Sequence, residues 1–219
     1  MTTSDSPEEA PVNRVEELTR RLEERDRDIA ELRDRLAGEL GALSRVMEIT
    51  ASLNSTLKLD DLLDLVLRSS QELLQGEAAS LLLVDEKTGD LVFEVSTGAG
   101  NEGLGGTVVP AGRGIAGWVL EHGQPAIVDD PAEDARFYRG VDEASGVETR
   151  NVLAVPLSVK GRTIGVVEVI NKLAGMPFDP KDLELAVALT NQAAIAIDNA
   201  RLHAQLAEAV VTARMSYRL

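Results

Sequence analysis

The chain has 219 residues, 44% of them hydrophobic but only 3% aromatic, with a formal net charge of -15 and an isoelectric point near 4.6. That length holds one ordinary domain plus extensions around an aliphatic core, and the charge opposes a polyphosphate backbone, so no nucleic-acid partner is expected. The absence of cysteine excludes disulfides, thiolate nucleophiles, iron–sulfur clusters and Cys-rich zinc sites.

Residues 1–11 are acidic and Pro-containing and read as a disordered tail. No run of roughly 18 apolar residues follows, so no membrane partner is expected and the localisation reads as cytoplasmic. Residues 12–42 read as a coiled-coil helix, because Val15, Leu18, Leu22, Ile29, Leu32 and Leu36 keep heptad spacing with Arg25 in one core slot. Leu40, Leu43 and Met47 then shift the phase, and Gly38 and Gly41 weaken the helix at the same point. A junction is expected there, with a domain over 43–206 and a helical extension over 207–219. A helix this polar cannot bury its stripe alone, which predicts a parallel homodimer through the N- and C-terminal helices.

A second amphipathic helix is predicted over Leu59–Leu74, stopping at Gly76. Strands follow at Ala78–Val84 and Leu91–Ser96 around the turn residues Lys87 to Asp90, with a weaker one near Thr107–Val109. Ile115–Glu121 reads as a short helix ended by Gly123, and Ala126–Val128 as a short strand. Asp129-Asp130-Pro131 reads as a helix cap. Asn151–Val159 and Thr163–Ile170 are rich in Val, Ile and Leu and form a hairpin about Lys160-Gly161-Arg162. The last helix covers Lys181–Arg214. The fold class is therefore α+β: an antiparallel β-sheet with long N- and C-terminal helices on one face.

The order of these elements, the set Asn171-Lys172…Phe178…Asp182 and the closing run AAIAIDNARL at 193–202 resemble the GAF domain, a small-ligand sensing module. The resemblance runs from about Leu43 to Leu206. It implies a loop-covered pocket on the other sheet face. The Asn-Lys, Phe and Asp spacing is similar to the signature of the cyclic-nucleotide-binding branch, although Leu183 stands where that signature ends in Glu. A cyclic nucleotide is thus the implied ligand, and in this family the Lys and Asp form a salt bridge supporting the pocket. Without cysteine, neither the sulfoxide-reductase chemistry of some GAF proteins nor cysteine-linked bilin attachment is available.

Local physics explains much of the same set. Asp179 suits a helix N-cap, Pro180 the first helical position and Asp182 the third, with Phe178 and Leu183 placed for a hydrophobic staple. Structural capping therefore outweighs direct ligand contact at Phe178 and Asp182. The ligand-binding candidates lie in the 98–150 loop. Asp129, Arg136, Phe137, Tyr138, Thr149 and Arg150 supply an acceptor, two cations, two rings and a hydroxyl for a planar ligand, and Arg136 and Arg150 are the cations expected to meet a phosphate. Packing of Phe137 and Tyr138 over the open sheet face is the competing account.

Gly98-Ala99-Gly100-Asn101-Glu102-Gly103 matches GxGxxG, but Leu104 to Thr107 cannot open a helix, so it reads as a flexible loop. Gly112-Arg113-Gly114 could hold an anion ahead of a helix, with a plain turn preferred. His122 and His203 lack a second ligand at metal spacing, and no nucleophile–base pair assembles, so no enzyme activity is expected. The functional expectation is a cytoplasmic, dimeric sensor that acts on a signalling partner in trans. Its rival is a ligand-free dimerisation scaffold.

Overall fold

A computed structural model describes residues 9–55, 58–98 and 103–216. The chain divides after Met47 into two compact units. The described residues of the first belong to helix α1, Glu9–Ser55. The described part of this helix begins at Glu9, and a proline such as Pro11 is tolerated in a first turn. The helix runs through Gly38 and Gly41 without a break: two glycines cost a helix roughly 1 kcal/mol each, too little to end one of 47 residues. Leu22, Ile29 and Leu32 stand exposed along it. The side chains of Val15, Leu18 and Leu36 lie outside those described.

The second unit is built on a six-stranded antiparallel sheet of order β3-β2-β1-β6-β5-β4. After α2 (Leu59–Leu74), the strands are β1 (Gly76–Val84), β2 (Leu91–Thr97) and β3 (Val108–Val109). Helix α3 (Gly114–His122) precedes β4 (Ala126–Val128), and α4 (Gly140–Ser145) precedes β5 (Val152–Val159) and β6 (Arg162–Lys172). Helix α5 (Pro180–Ser216) closes the described chain. The short α4 has no counterpart among the predicted elements, since six residues are too few to display a helical period. Asp129 does not cap a helix either. A three-residue 3₁₀ turn begins at Pro131, with Asp130 before it and no side-chain capping bond.

The central strands are buried on both faces, which is why they read as continuous apolar runs rather than alternations. Leu81 and Leu83 of β1, Leu153 and Val155 of β5, and Val167 and Val169 of β6 join α2 and α5 in the larger core. Leu82, Val152, Val166 and Ile170 point the other way, into a second core with Phe93, Ile115 and Val119. The β5–β6 hairpin turns on Lys160 and Gly161, both with positive φ (51° and 80°), as a two-residue type I′ turn requires.

The end of α2 departs from expectation in an instructive way. Gln75, not Gly76, takes the left-handed C-cap conformation (φ 53°, ψ 45°). Gly76 is needed one residue later, where a Cβ would overlap the Val169 side chain on the neighbouring strand. Close strand packing thus outranks the C-cap preference for glycine.

Candidate ligand pocket

The second core is incomplete. Between the sheet face and a cover made of α3, α4 and the segments beside α4 lies a cavity of about 60 Å³. Leu82, Phe93, Val152 and Ile170 form its apolar walls, and Phe137, Tyr138 and Thr149 lie in its cover. Three of the six candidates for ligand contact are therefore brought together on one cavity.

The other three lie elsewhere. Asp129 is exposed beyond β4. Arg136 is turned back onto its own loop: its Nε and Nη2 donate to Asp134 at 2.9 and 2.6 Å, and its guanidinium lies 4.8 Å from the Trp118 ring centre. The hydrogen bond from Arg136 holds the Asp134 carboxyl below its ordinary range, and that same bond raises Arg136 above its own. Trp118 also stacks against His122, with ring centres 4.4 Å apart. Arg150 points away from the cavity and pairs with Glu77 at 2.6 Å. The cation that does line the cavity is Arg113, exposed at the residue before α3.

None of Asn171, Lys172, Phe178 and Asp182 lines the cavity either. Asn171 is buried with φ 57°, a left-handed conformation that Asn tolerates better than most residues. Its Oδ1 accepts the Arg150 backbone N–H at 2.8 Å and its Nδ2 donates to the Glu148 carbonyl at 3.0 Å. It thereby pins the residues after α4 to the end of β6. At the start of α5 the Asp179 carboxylate accepts the backbone N–H of Lys181 (2.7 Å) and Asp182 (3.0 Å), while Asp182 accepts the Asp179 N–H at 2.8 Å. This is a reciprocal capping box. The Asp182 N–H bond is the main reason that Asp179 is held below the usual carboxylate range. Lys172 forms an ion pair with Asp182, and Phe178 is buried in the larger core with Leu183 packed against it. Capping accounts for Asp182, its ion pair for Lys172 and burial for Phe178, while Asn171 bears on the cavity only through the Glu148–Arg150 segment that it holds.

Two carboxyls on the cavity went unnoticed in the sequence. Asp142, on α4, accepts the Thr149 backbone N–H at 2.9 Å and its hydroxyl at 2.7 Å, closing the loop that carries the cover. Glu168, on β6, sits at the cavity floor opposite Ser80 of β1 and Ala154 of β5. Burial, seconded by the negative charge of Asp142, pushes the Glu168 carboxyl up to about 7. A signal existed: Glu168 is an acid in the middle of GVVEVIN, where a strand covered on both sides has no routine place for a charge. His122 is exposed at the end of α3, and the His203 side chain lies outside those described. Among the described residues no helix is long and apolar enough to cross a membrane. The GxGxxG stretch at 98–103 falls mostly outside the described residues.

Comparison with known proteins agrees with this architecture. The chain is 26% identical over 186 residues to a probable 3′,5′-cyclic phosphodiesterase (pde-5) of Caenorhabditis elegans, covering 80% of this chain and 25% of that protein. It is 37% identical over 98 residues to a dual 3′,5′-cyclic-AMP and -GMP phosphodiesterase 11A of Takifugu rubripes, covering 44% of this chain and 11% of that protein. The chain therefore matches a quarter or less of the length of these relatives. Among solved structures, the GAF domain of a phosphoenolpyruvate-protein phosphotransferase from Coxiella burnetii superposes with a TM-score of 0.68 at 24% identity, over 76% of this chain and 98% of that one. The family model for the GAF domain matches residues 56–198, the span that carries the sheet, the cavity and the start of α5, and the chain belongs to the GAF domain family.

Proposed function

We propose that this chain is a cytoplasmic sensor module of signal transduction, a dimeric GAF domain that binds a small ligand in the sheet-face cavity and acts on a partner in trans. The observation that carries this reading is the cavity itself. Apolar walls, two aromatic side chains and a few polar groups under a cover of short elements are what a small-molecule site needs.

A cyclic nucleotide is the first candidate, because both phosphodiesterase relatives are named for such substrates. With Arg136 and Arg150 engaged by Asp134 and Glu77, Arg113 and the amides opening α3 are the groups left to meet its phosphate. At about 60 Å³ the cavity is well below the roughly 300–1,000 Å³ of sites for drug-sized ligands. A nucleotide must therefore displace the cover, and that displacement would be the signal, provided that the two cover positions differ in affinity for ligand. Calorimetry with cyclic AMP and cyclic GMP is the test. Heat with either, reduced by Arg113→Ala and unchanged by Arg150→Ala, is the expected result. No heat and no thermal shift at millimolar concentration retires the nucleotide.

The small cavity also favours a second reading, a ligand-free scaffold that braces a dimer of α1 and α5 helices. Native mass spectrometry of protein from its own host separates the two, since a retained small molecule belongs only to the sensor.

A further inference from the structure

The chain between the end of β6 and the start of α5 is strained. Asn171 (φ 57°), Ala174 (φ 60°) and Gly175 (φ 65°) all take left-handed backbone, and Ala174 has neither the freedom of glycine nor the short polar side chain that lets asparagine tolerate it. Residues 173–177 are all exposed, Leu173 by 50% and Met176 by 58%, so no burial offsets the strain. Hydrogen bonds hold this strap instead. The Leu173 N–H donates to the Gln75 carbonyl at 2.7 Å and the Lys172 N–H to Asn151 Oδ1 at 2.9 Å, while Asn151 Nδ2 donates to the Met176 carbonyl at 3.4 Å.

Asn151 stands just before β5 and Asn171 at the end of β6, and the Asn171 N–H donates to the Asn151 carbonyl at 2.9 Å. Both are buried, and their side chains serve different segments. Asn151 holds the strap. Asn171 holds Glu148 and Arg150, the residues on either side of Thr149, which is bonded to Asp142 of the cavity's cover. A buried amide that loses its partner leaves polar atoms unpaired away from water. If one segment lifts, the asparagine that held it is left unsatisfied, and its neighbour across the ladder shifts with it.

We propose that Asn151 and Asn171 form a clasp that makes the cavity's cover and the strap leading into α5 one cooperative unit, so that the two open and close together. Helix α5 begins at Pro180 and is tied back to the strap by the ion pair of Lys172 with Asp182. A cover displaced by ligand then loosens the lead of that helix. The strain at Ala174 favours the open state and the clasp the closed one, which gives the unit two positions that a ligand can bias. The clasp rests on the sensor reading above for its use, but the coupling belongs to the protein without ligand and is measured there.

The test is amide hydrogen exchange of the whole chain without ligand, under conditions where rates report opening equilibria. The N–H groups of Thr149 and Arg150 report the cover, that of Leu173 the strap, and that of Val167, in the larger core, global unfolding. Ala174→Gly relieves strain in the strap at an exposed residue that does not line the cavity. It should slow Leu173 by about fivefold and slow Thr149 and Arg150 by the same factor, with all three exchanging faster than Val167. Asn171→Gly keeps the left-handed backbone but removes the grip on the cover; in that background Ala174→Gly should slow Leu173 and leave Thr149 unchanged. Asn151→Asp keeps the acceptor for Lys172 and removes the donor to Met176. It should speed Leu173 and Thr149 together, and it serves if Asn171→Gly does not fold. The proposal is overturned if Ala174→Gly slows the strap without the cover, if it leaves Leu173 unchanged, or if its effect on Thr149 survives Asn171→Gly. It is equally overturned if cover and strap exchange at the rate of Val167, since they then form no unit of their own. Ligand binding is decided separately, by calorimetry with the cyclic nucleotides.

Discussion

Glu168 also makes its presence felt in the stability of the protein without ligand. Its carboxyl is raised from an ordinary 4.5 to about 7, so between those values the folded chain binds a proton that the unfolded chain releases. The stability from this group is complete below about 4.5 and is lost as the pH rises through about 7. Glu168→Gln keeps the neutral form at every pH. It should raise stability at pH 8 by about 1–3 kcal/mol, allowing for the water that reaches the carboxyl through the cavity, and should change little near pH 4.5. Urea unfolding at the two pH values measures this, and an unchanged difference between them contradicts it. Asp179 has the opposite sign. Its depressed carboxyl stabilises above its ordinary 3.8 and loses that effect in acid. Phe178→Ala should cost about 3 kcal/mol through lost burial, and Asp182→Ala about 1–3 kcal/mol, because it removes half a capping box and leaves Lys172 without its counter-ion. Neither should change ligand affinity at temperatures where the variants are folded, since neither residue lines the cavity. A large loss of binding at unchanged melting temperature would give these residues a ligand role.

The elements are held together by fits that leave no room for an added methyl. Gly165 lies on β6 where a Cβ would run into the Leu82 carbonyl oxygen and the Leu83 side chain of β1. Because one of those atoms is backbone inside a central strand pair, it cannot swing aside. Gly165→Ala should therefore destabilise by about 1–3 kcal/mol, and a melting curve like that of the wild type would refute the packing argument. Gly161, in the hairpin turn, has open space around its missing Cβ; its requirement is its φ of 80°, which a β-branched residue would resist. The same sequence letter thus serves two physical purposes in one hairpin. Only Gly161 was legible beforehand, because turns are local and strand contacts are not.

For the whole molecule, the exposed Leu22, Ile29 and Leu32 of α1 are the clearest expectation of association. Apolar residues at heptad spacing on a charged helix gain most by facing the same stripe on a second copy. Light scattering at micromolar concentration should give twice the chain mass, and a monomer there would count against the dimer. Removing residues 1–40 should weaken association while leaving the melting of the unit from Glu48 onward nearly unchanged, since that unit has its own cores.

The sequence by itself determined the elements and their order. Alternation, turn residues and caps act over a few positions, so the β5–β6 hairpin, the stop of α3 at Gly123 and the Asp179–Asp182 cap could be read from neighbours along the chain. It also carried the family resemblance, because the Asn171…Asp182 set is contiguous. What only the tertiary structure decided is which side chains share a space. Phe137, Tyr138 and Thr149 converge on the cavity with Glu168, Asp142 and Arg113, whereas Arg136 and Arg150 are taken up by Asp134 and Glu77. Arg150 and Glu77 are 73 residues apart, and Glu168 faces Ser80 across 88; no local pattern encodes such pairings. Charge and ring content could nominate binding residues, but the contact between Arg150 and Glu77 across the fold and the bond from Arg136 to its loop neighbour Asp134 took these two cations from the cavity, and Arg113 lines it instead.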